Sequence, residues 1–93
     1  MRYVVAYDIG DDKVRLRVAR LLQAHGVRVQ ESVFECVLDH AQVDSLTHRL
    51  AGLLHDIDDA EIRFYRLCAA CLDASFAVGR DVKTPAAQRF LIV

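Results

Sequence analysis

The apolar and polar positions of the chain follow first the period of a strand and then the period of a helix. The opening segment RYVVAYD is apolar on both of its alternating faces, which predicts a central strand covered on two sides. From Asp12 to His25 the apolar residues recur at helical spacing, with Asp11 or Asp12 placed to cap the start and Gly26 to end the helix. The chain therefore opens with a buried strand and an amphipathic helix.

The middle of the chain repeats this order. RVQESVFECVL, residues 28–38, is rich in β-forming residues and predicts one long strand with a bulge near Glu31. DHAQ from Asp39 has the pattern of a capping box, and the apolar stripe that follows it predicts a second helix. EIRFYRL predicts another strand, and SFAV, which is followed by Gly79, predicts a further short one.

This order of elements matches an α+β ferredoxin-like βαββαβ sandwich, provided that the long second strand is split or folded into a hairpin. We expect one domain over residues 1–93. Both helices would cover one face of the sheet, so the Val and Tyr side chains of the other face need a second layer, which a homodimer would supply. The terminal FLIV predicts an extra strand within a C-terminal extension, residues 80–93, and this strand could be exchanged onto the partner's sheet.

Charge is distributed in blocks that the net value of −1 conceals. Residues 1–30 carry six basic and three acidic side chains. Residues 31–61 carry one basic and eight acidic side chains, and residues 62–93 carry five basic and two acidic ones. Affinity for nucleic acid would therefore come from a local basic face. Lys13, Arg17 and Arg20 align along the first helix at i, i+4 and i+7, and they form either such a face or a merely solvated one.

Composition gives no support to a membrane span or to a disulfide framework. No apolar run approaches the roughly 18 residues of a membrane helix, and the N-terminus lacks the pattern of a signal peptide. We therefore expect a cytoplasmic protein. The cysteines, Cys36, Cys68 and Cys71, form an odd set that is expected to be reduced, and the CAAC spacing lacks the second pair of ligands of a structural zinc site.

The candidate chemistry lies where the first strand ends, in DIGDD. This junction lacks the glycine pattern that cradles phosphates in dinucleotide and P-loop sites, so a nucleotide cofactor is disfavoured. A carboxylate at such a position instead suits Mg²⁺ or Mn²⁺, and two copies of Asp8 facing each other across a dimer axis could share one ion. The alternative is that Asp8 stabilises a turn while Asp11 and Asp12 cap the helix.

The segment YDIGDDKVRLRVARLLQAHGVRVQESVFECVL resembles the signature of the small CRISPR-associated endonuclease family of the spacer-acquisition machinery. The shared elements are the apolar strand ending in YDI, the basic RLR helix, a glycine followed by RVQ, and SVFE. RFYRLC, Gly79 and the terminal FLIV are also similar to that family, so the resemblance covers nearly the whole chain.

The resemblance implies a ferredoxin-like homodimer whose C-terminal strand joins the neighbouring protomer. It also implies a metal-dependent endonuclease of RNA or DNA that acts with the CRISPR integrase and binds Mg²⁺ through Asp8 at the dimer interface. The other positions that match residues implicated in the family's activity are Tyr7, Arg15, Arg17, Arg28 and Phe34.

A role without catalysis is the main alternative that the resemblance implies. In it, the dimer is a structural adaptor that bridges integrase dimers and holds duplex prespacer DNA on its basic surface. This alternative predicts that Asp8→Asn leaves spacer capture intact, whereas charge reversal at Arg17 or Arg20 weakens duplex binding. A more remote alternative is an RNA-cleaving toxin of the same fold, which a neighbouring antitoxin gene would favour.

Overall fold

The computed structural model describes residues 1–79 and a strand at Phe90–Leu91, and it alternates strands with helices. The elements are β1 (Arg2–Ile9), α1 (Asp12–Gln23), β2 (Gly26–Gln30), β3 (Val33–Val37), α2 (His40–Leu53), β4 (Ala60–Leu67), α3 (Ala69–Ala74), β5 (Ala77–Val78) and β6 (Phe90–Leu91). In the part of the chain that the structure describes, no helix combines the length and the apolar character needed to cross a membrane.

The main sheet has the strand order β2-β3-β1-β4, and each neighbouring pair is antiparallel. Strand β1 is therefore central, as the sequence predicts, with β3 on one side and β4 on the other. Helix α1 connects β1 to β2 and α2 connects β3 to β4, which gives the βαββαβ order of a ferredoxin-like α+β sandwich. The predicted fold is confirmed.

The prediction of one long strand over residues 28–38 is wrong, because the chain folds back on itself there. Glu31 and Ser32 form a turn between β2 and β3, and the pairing register shifts between Arg28 and Gln30, close to the predicted bulge. Strand β2 starts against β3 so closely that a Cβ on Gly26 would lie 2.2 Å from the carbonyl oxygen of Glu35. Residue 26 therefore opens the hairpin and does not cap α1.

The core lies between the sheet and the layer formed by α1 and α2. Alternate residues of β1, namely Val5, Tyr7 and Ile9, are buried on this side of the sheet. The other side of β1 carries Val4 and Ala6, and within residues 1–79 only the first side is covered, so cover of the second side by a partner stays a prediction. The remaining core residues are Val18, Ala19, Leu22, Phe34, Cys36, Leu38, Leu46 and Leu50.

The face of the sheet that is not covered within residues 1–79, called the open face below, is partly apolar. Val37 and Tyr65 lie on it with 53% and 50% of their surface exposed, and Val27 extends it onto β2. A second copy of the chain would remove this surface from water, as the sequence-based expectation of a homodimer requires.

Both helix N-termini are capped as their sequences predict. The Asp11 side chain accepts a hydrogen bond from the backbone N–H of Val14 at 2.9 Å, which makes Asp11, and not Asp12, the N-cap of α1. At the start of α2, Asp39 and Gln42 each accept a hydrogen bond from the other's backbone N–H, which completes the predicted capping box.

The C-terminal part adds one helix that the sequence did not predict, α3, and confirms the short strand in SFAV as β5. Strand β6 pairs in parallel with β5 of the same chain, within the predicted extension. The rest of residues 80–93 lies outside the described residues, so exchange of this strand onto a partner stays a prediction.

Candidate nucleic-acid and metal site

Asp8 lies near the end of the central strand, on the open face, with its side chain exposed. Its partner across the β1–β4 ladder is Glu61, so the two carboxylates occupy neighbouring positions on the same face of the sheet. Glu61 is also paired with Arg63, whose Nε lies 3.1 Å from a Glu61 carboxylate oxygen. Glu61 was not identified from the sequence, because it is separated from Asp8 by 52 residues and the two are brought together only by the register of β1 against β4.

The donors near Asp8 fit Mg²⁺ or Mn²⁺ only if water or substrate supplies further oxygens. Among residues 1–79 no group of three or more His, Cys, Asp or Glu side chains could hold a metal ion. Mg²⁺ commonly retains several waters and binds through one or two carboxylates plus substrate phosphates. Asp8, with Glu61 beside it or with a second copy of Asp8, meets that smaller requirement.

Arg15 fixes the backbone that follows Asp8. One of its guanidinium nitrogens donates hydrogen bonds to the carbonyl oxygens of Ile9, at 3.0 Å, and Gly10, at 3.4 Å, and the other pairs with Asp12. These contacts hold the end of β1 against the first turn of α1. Arg15 is thus a positioning residue for the strand that carries Asp8.

Tyr7 and Phe34 lie on the other face of the sheet from Asp8, because successive residues of a strand point to opposite sides. Tyr7 is buried, and its hydroxyl donates to the carbonyl oxygen of Glu31 at 3.0 Å. Its ring stacks on Phe34 with 6.3 Å between the ring centroids, and the guanidinium of Arg28 lies 5.2 Å from the centroid of Phe34. These contacts stabilise the packing of the β2–β3 hairpin against the core.

The structure therefore divides the predicted site residues into separate groups. Tyr7, Arg15 and Arg28 meet at a pocket of about 560 Å³ between α1 and the hairpin, whereas Asp8 lies on the open face. Phe34 does not line this pocket but contacts two of its residues, Tyr7 and Arg28. The pocket has mixed charge, since acidic side chains share it with the two arginines. Its lining residues are Tyr7, Asp12, Arg15, Leu16, Ala19, Arg28, Glu31 and Ser32.

Arg17 belongs to a third place, the cleft between α1 and α2. This cleft of about 570 Å³, called the arginine cleft below, is lined by Arg17, Arg20 and Arg49 over the apolar side chains of Leu21 and Leu53. Within residues 1–79 none of these three guanidinium groups forms an ion pair.

Two features of the arginine cleft differ from the basic row that the sequence predicts. Lys13 does not line the cleft, although it shares a helix face with Arg17 and Arg20 in sequence spacing. Arg49 does line it, although it is the one basic residue of the acidic block at residues 31–61. Three arginines that form no ion pair within residues 1–79 and lie over apolar side chains suit the phosphates of a nucleic-acid backbone, which attract arginine without regard to sequence.

Comparisons with known proteins give the family of this chain. Residues 1–74 match the family described as "CRISPR associated protein Cas2". A curated relative from Chloroflexus aurantiacus, "CRISPR-associated endoribonuclease Cas2 1", is 38% identical over 93 residues, which is 100% of both chains.

Solved structures give the same result for the fold. The crystal structure of Streptococcus pyogenes Cas2 matches with a TM-score of 0.71 and 34% identity, over 81% of this chain and 95% of that one. A chain from a "Partial Cas6-RT-Cas1–Cas2 complex" matches with a TM-score of 0.72 and 30% identity, over 80% of each chain. The chain belongs to the Cas2 family of CRISPR-associated proteins.

Proposed function

We propose that the protein is a metal-dependent endonuclease of CRISPR spacer acquisition, which hydrolyses phosphodiester bonds of RNA or DNA and acts with the CRISPR integrase. The observation that carries this proposal is the exposed carboxylate of Asp8 at the end of the central strand, on the open face of the sheet. The name of the Chloroflexus relative, an endoribonuclease, supports the reaction type.

A homodimer forms part of the proposal, because one chain offers too few ligands. Packing the open faces of two copies together would bury Val37 and Tyr65 and bring the two Asp8 carboxylates towards one another. Each copy would then supply one aspartate to a shared Mg²⁺ or Mn²⁺ ion. The exposed apolar side chains of the open face support this arrangement.

In the reaction, the residues of the chain bind and orient the substrate. A bound divalent cation would neutralise the scissile phosphate and stabilise the negative charge that develops during displacement by water. Asp8 would hold the cation, and Arg15 keeps the end of β1 in place through Ile9 and Gly10. The arginine cleft holds phosphates elsewhere on the same nucleic acid.

The direct test is cleavage of labelled single-stranded RNA and duplex DNA by the purified wild-type protein. We expect cutting with Mg²⁺, loss of cutting when EDTA removes the metal, and recovery when Mg²⁺ is restored in excess. The substrate that is cut identifies the nucleic acid. Cutting that persists in EDTA would contradict the metal dependence, and a protein that cuts neither substrate would leave the structural role described next.

The second candidate function is that of a structural adaptor between the CRISPR integrase and duplex prespacer DNA. The arginine cleft favours it, because its three guanidinium groups can bind a phosphate backbone without cutting it. The match to a chain from a structure described as a Cas1–Cas2 complex also supports it.

Charge reversal in the arginine cleft tests the binding step of both functions. We expect Arg17→Glu to weaken binding to duplex DNA of any sequence and to reduce the slope of log K against log salt by about 1. Titrations at several salt concentrations measure both effects. Lys13→Glu makes the same change of charge on the same helix outside the cleft, so equal losses in the two variants would argue against a specific role of the cleft.

A further inference from the structure

Two of the three cysteines lie together on an exposed turn. Cys68 is the N-cap residue of α3, and its sulfur accepts a hydrogen bond from the backbone N–H of Cys71 at 3.3 Å. Both side chains are exposed, and α3 buries none of its residues. This hydrogen bond places the Cys68 sulfur against the backbone of Cys71, so the two thiols lie on the same exposed turn.

The environments of the three thiols differ. Burial, with a smaller effect of the charge on Glu35, raises the pKa of the Cys36 thiol to about 11, so this thiol stays protonated and inaccessible. Hydrogen bonds from the backbone N–H and the side chain of Cys71 lower the pKa of Cys68. The same side-chain hydrogen bond, followed by the charge of Cys68, raises the pKa of Cys71.

We propose that Cys68 and Cys71 form a solvent-accessible redox dithiol that reacts with small-molecule disulfides, with Cys68 as the attacking thiol and Cys71 as the resolving thiol. The contact between the backbone N–H of Cys71 and the sulfur of Cys68 stabilises a thiolate at Cys68. The spacing of two intervening residues keeps the second sulfur within reach of the first. This activity is separate from phosphodiester hydrolysis.

The exchange takes place in two displacements. The Cys68 thiolate attacks one sulfur of a small-molecule disulfide, such as oxidised glutathione, forms a mixed disulfide and releases one thiolate. Cys71 then gives its proton to solvent, and its sulfur attacks the sulfur of Cys68. The Cys68–Cys71 disulfide forms and a second small-molecule thiolate leaves. Two protein thiols are oxidised and one small-molecule disulfide is reduced to two thiols.

Mass spectrometry of the full-length protein tests the proposal. The reduced protein is incubated with oxidised glutathione, quenched in acid and digested for peptide mapping. We expect the wild type to lose two hydrogen atoms in the peptide that contains both residues, without a lasting glutathione adduct. Cys71→Ser should trap glutathione on Cys68, and in the reduced wild type iodoacetamide should alkylate Cys68 several-fold faster than Cys71.

The outcomes separate this assignment from simple surface reactivity. A lasting adduct on the wild type would overturn the proposal, because Cys71 would then not resolve it. Equal alkylation of the two cysteines, or a faster reaction at Cys71, would overturn the assigned order of attack. Disulfides that form only between different protein molecules would overturn the intramolecular pairing. Cys71 is exposed, so the Cys71→Ser variant should remain folded.

Discussion

Asp8→Asn is expected to reduce metal-dependent cutting by at least about a hundredfold while the protein stays folded. A catalytic cation contributes several kcal/mol of transition-state stabilisation, and each ~1.4 kcal/mol corresponds to a factor of ten in rate. Asparagine keeps the shape of the side chain but removes the charge that would hold the cation. Initial rates of cleavage in saturating Mg²⁺, measured on the substrate that the wild type cuts, give the effect.

The fold should tolerate this substitution, because Asp8 is exposed and lies opposite a like charge on Glu61. Removing one of two adjacent carboxylates relieves a weak repulsion, so the free energy of unfolding should stay equal or rise slightly. Light scattering should return the same mass for variant and wild type, which shows that assembly is unchanged.

Asp44→Asn provides the matched control for Asp8→Asn. It makes the same chemical change at an exposed position of α2 and should cut like the wild type. If Asp8→Asn also cuts at the wild-type rate, Asp8 is not the metal ligand, and the adaptor function becomes the better account of the protein. If both variants lose activity, the loss reflects a general effect of charge and not the site.

The order of the main strands and helices could be predicted, because apolar periodicity reflects burial. In this chain the buried residues recur at alternate positions of the central strand and at helical spacing in α1 and α2. The ferredoxin-like order required a split in the segment 28–38, but the turn itself could not be located, because Glu31–Ser32 lacks the glycine, proline or asparagine that marks most tight turns. Helix α3 was missed for a different reason. It has six residues and buries none of them, so it leaves no apolar period in the sequence.

The candidate site was only partly predictable, because the spacing of residues within one segment does not indicate which distant segment packs against it. Strand alternation alone indicates that Tyr7 and Asp8 point to opposite faces, and the structure places them there. The placement of Glu61 beside Asp8 depends on the β1–β4 register. The placement of Arg49 beside Arg17 depends on how α2 packs against α1.

Phe34→Ala is expected to lower the free energy of unfolding by about 3–5 kcal/mol, a large part of the ~5–15 kcal/mol that stabilises a typical domain. Phe34 is fully buried, stacks on Tyr7 and lies under the guanidinium of Arg28. Truncation would leave a cavity at the place where the β2–β3 hairpin meets the core. Urea unfolding followed by circular dichroism measures the loss.

A second substitution at Phe34 tests whether the pocket beside α1 takes part in cleavage or only supports the fold. Phe34→Leu keeps most of the apolar volume and should cost much less stability than the alanine variant. Because Phe34 lies on the opposite face of the sheet from Asp8, we expect folded Phe34→Leu protein to cut at nearly the wild-type rate. A folded Phe34→Leu protein without activity would instead mean that the Tyr7–Phe34–Arg28 group acts on the substrate, and the active site would then have to include both faces of the sheet.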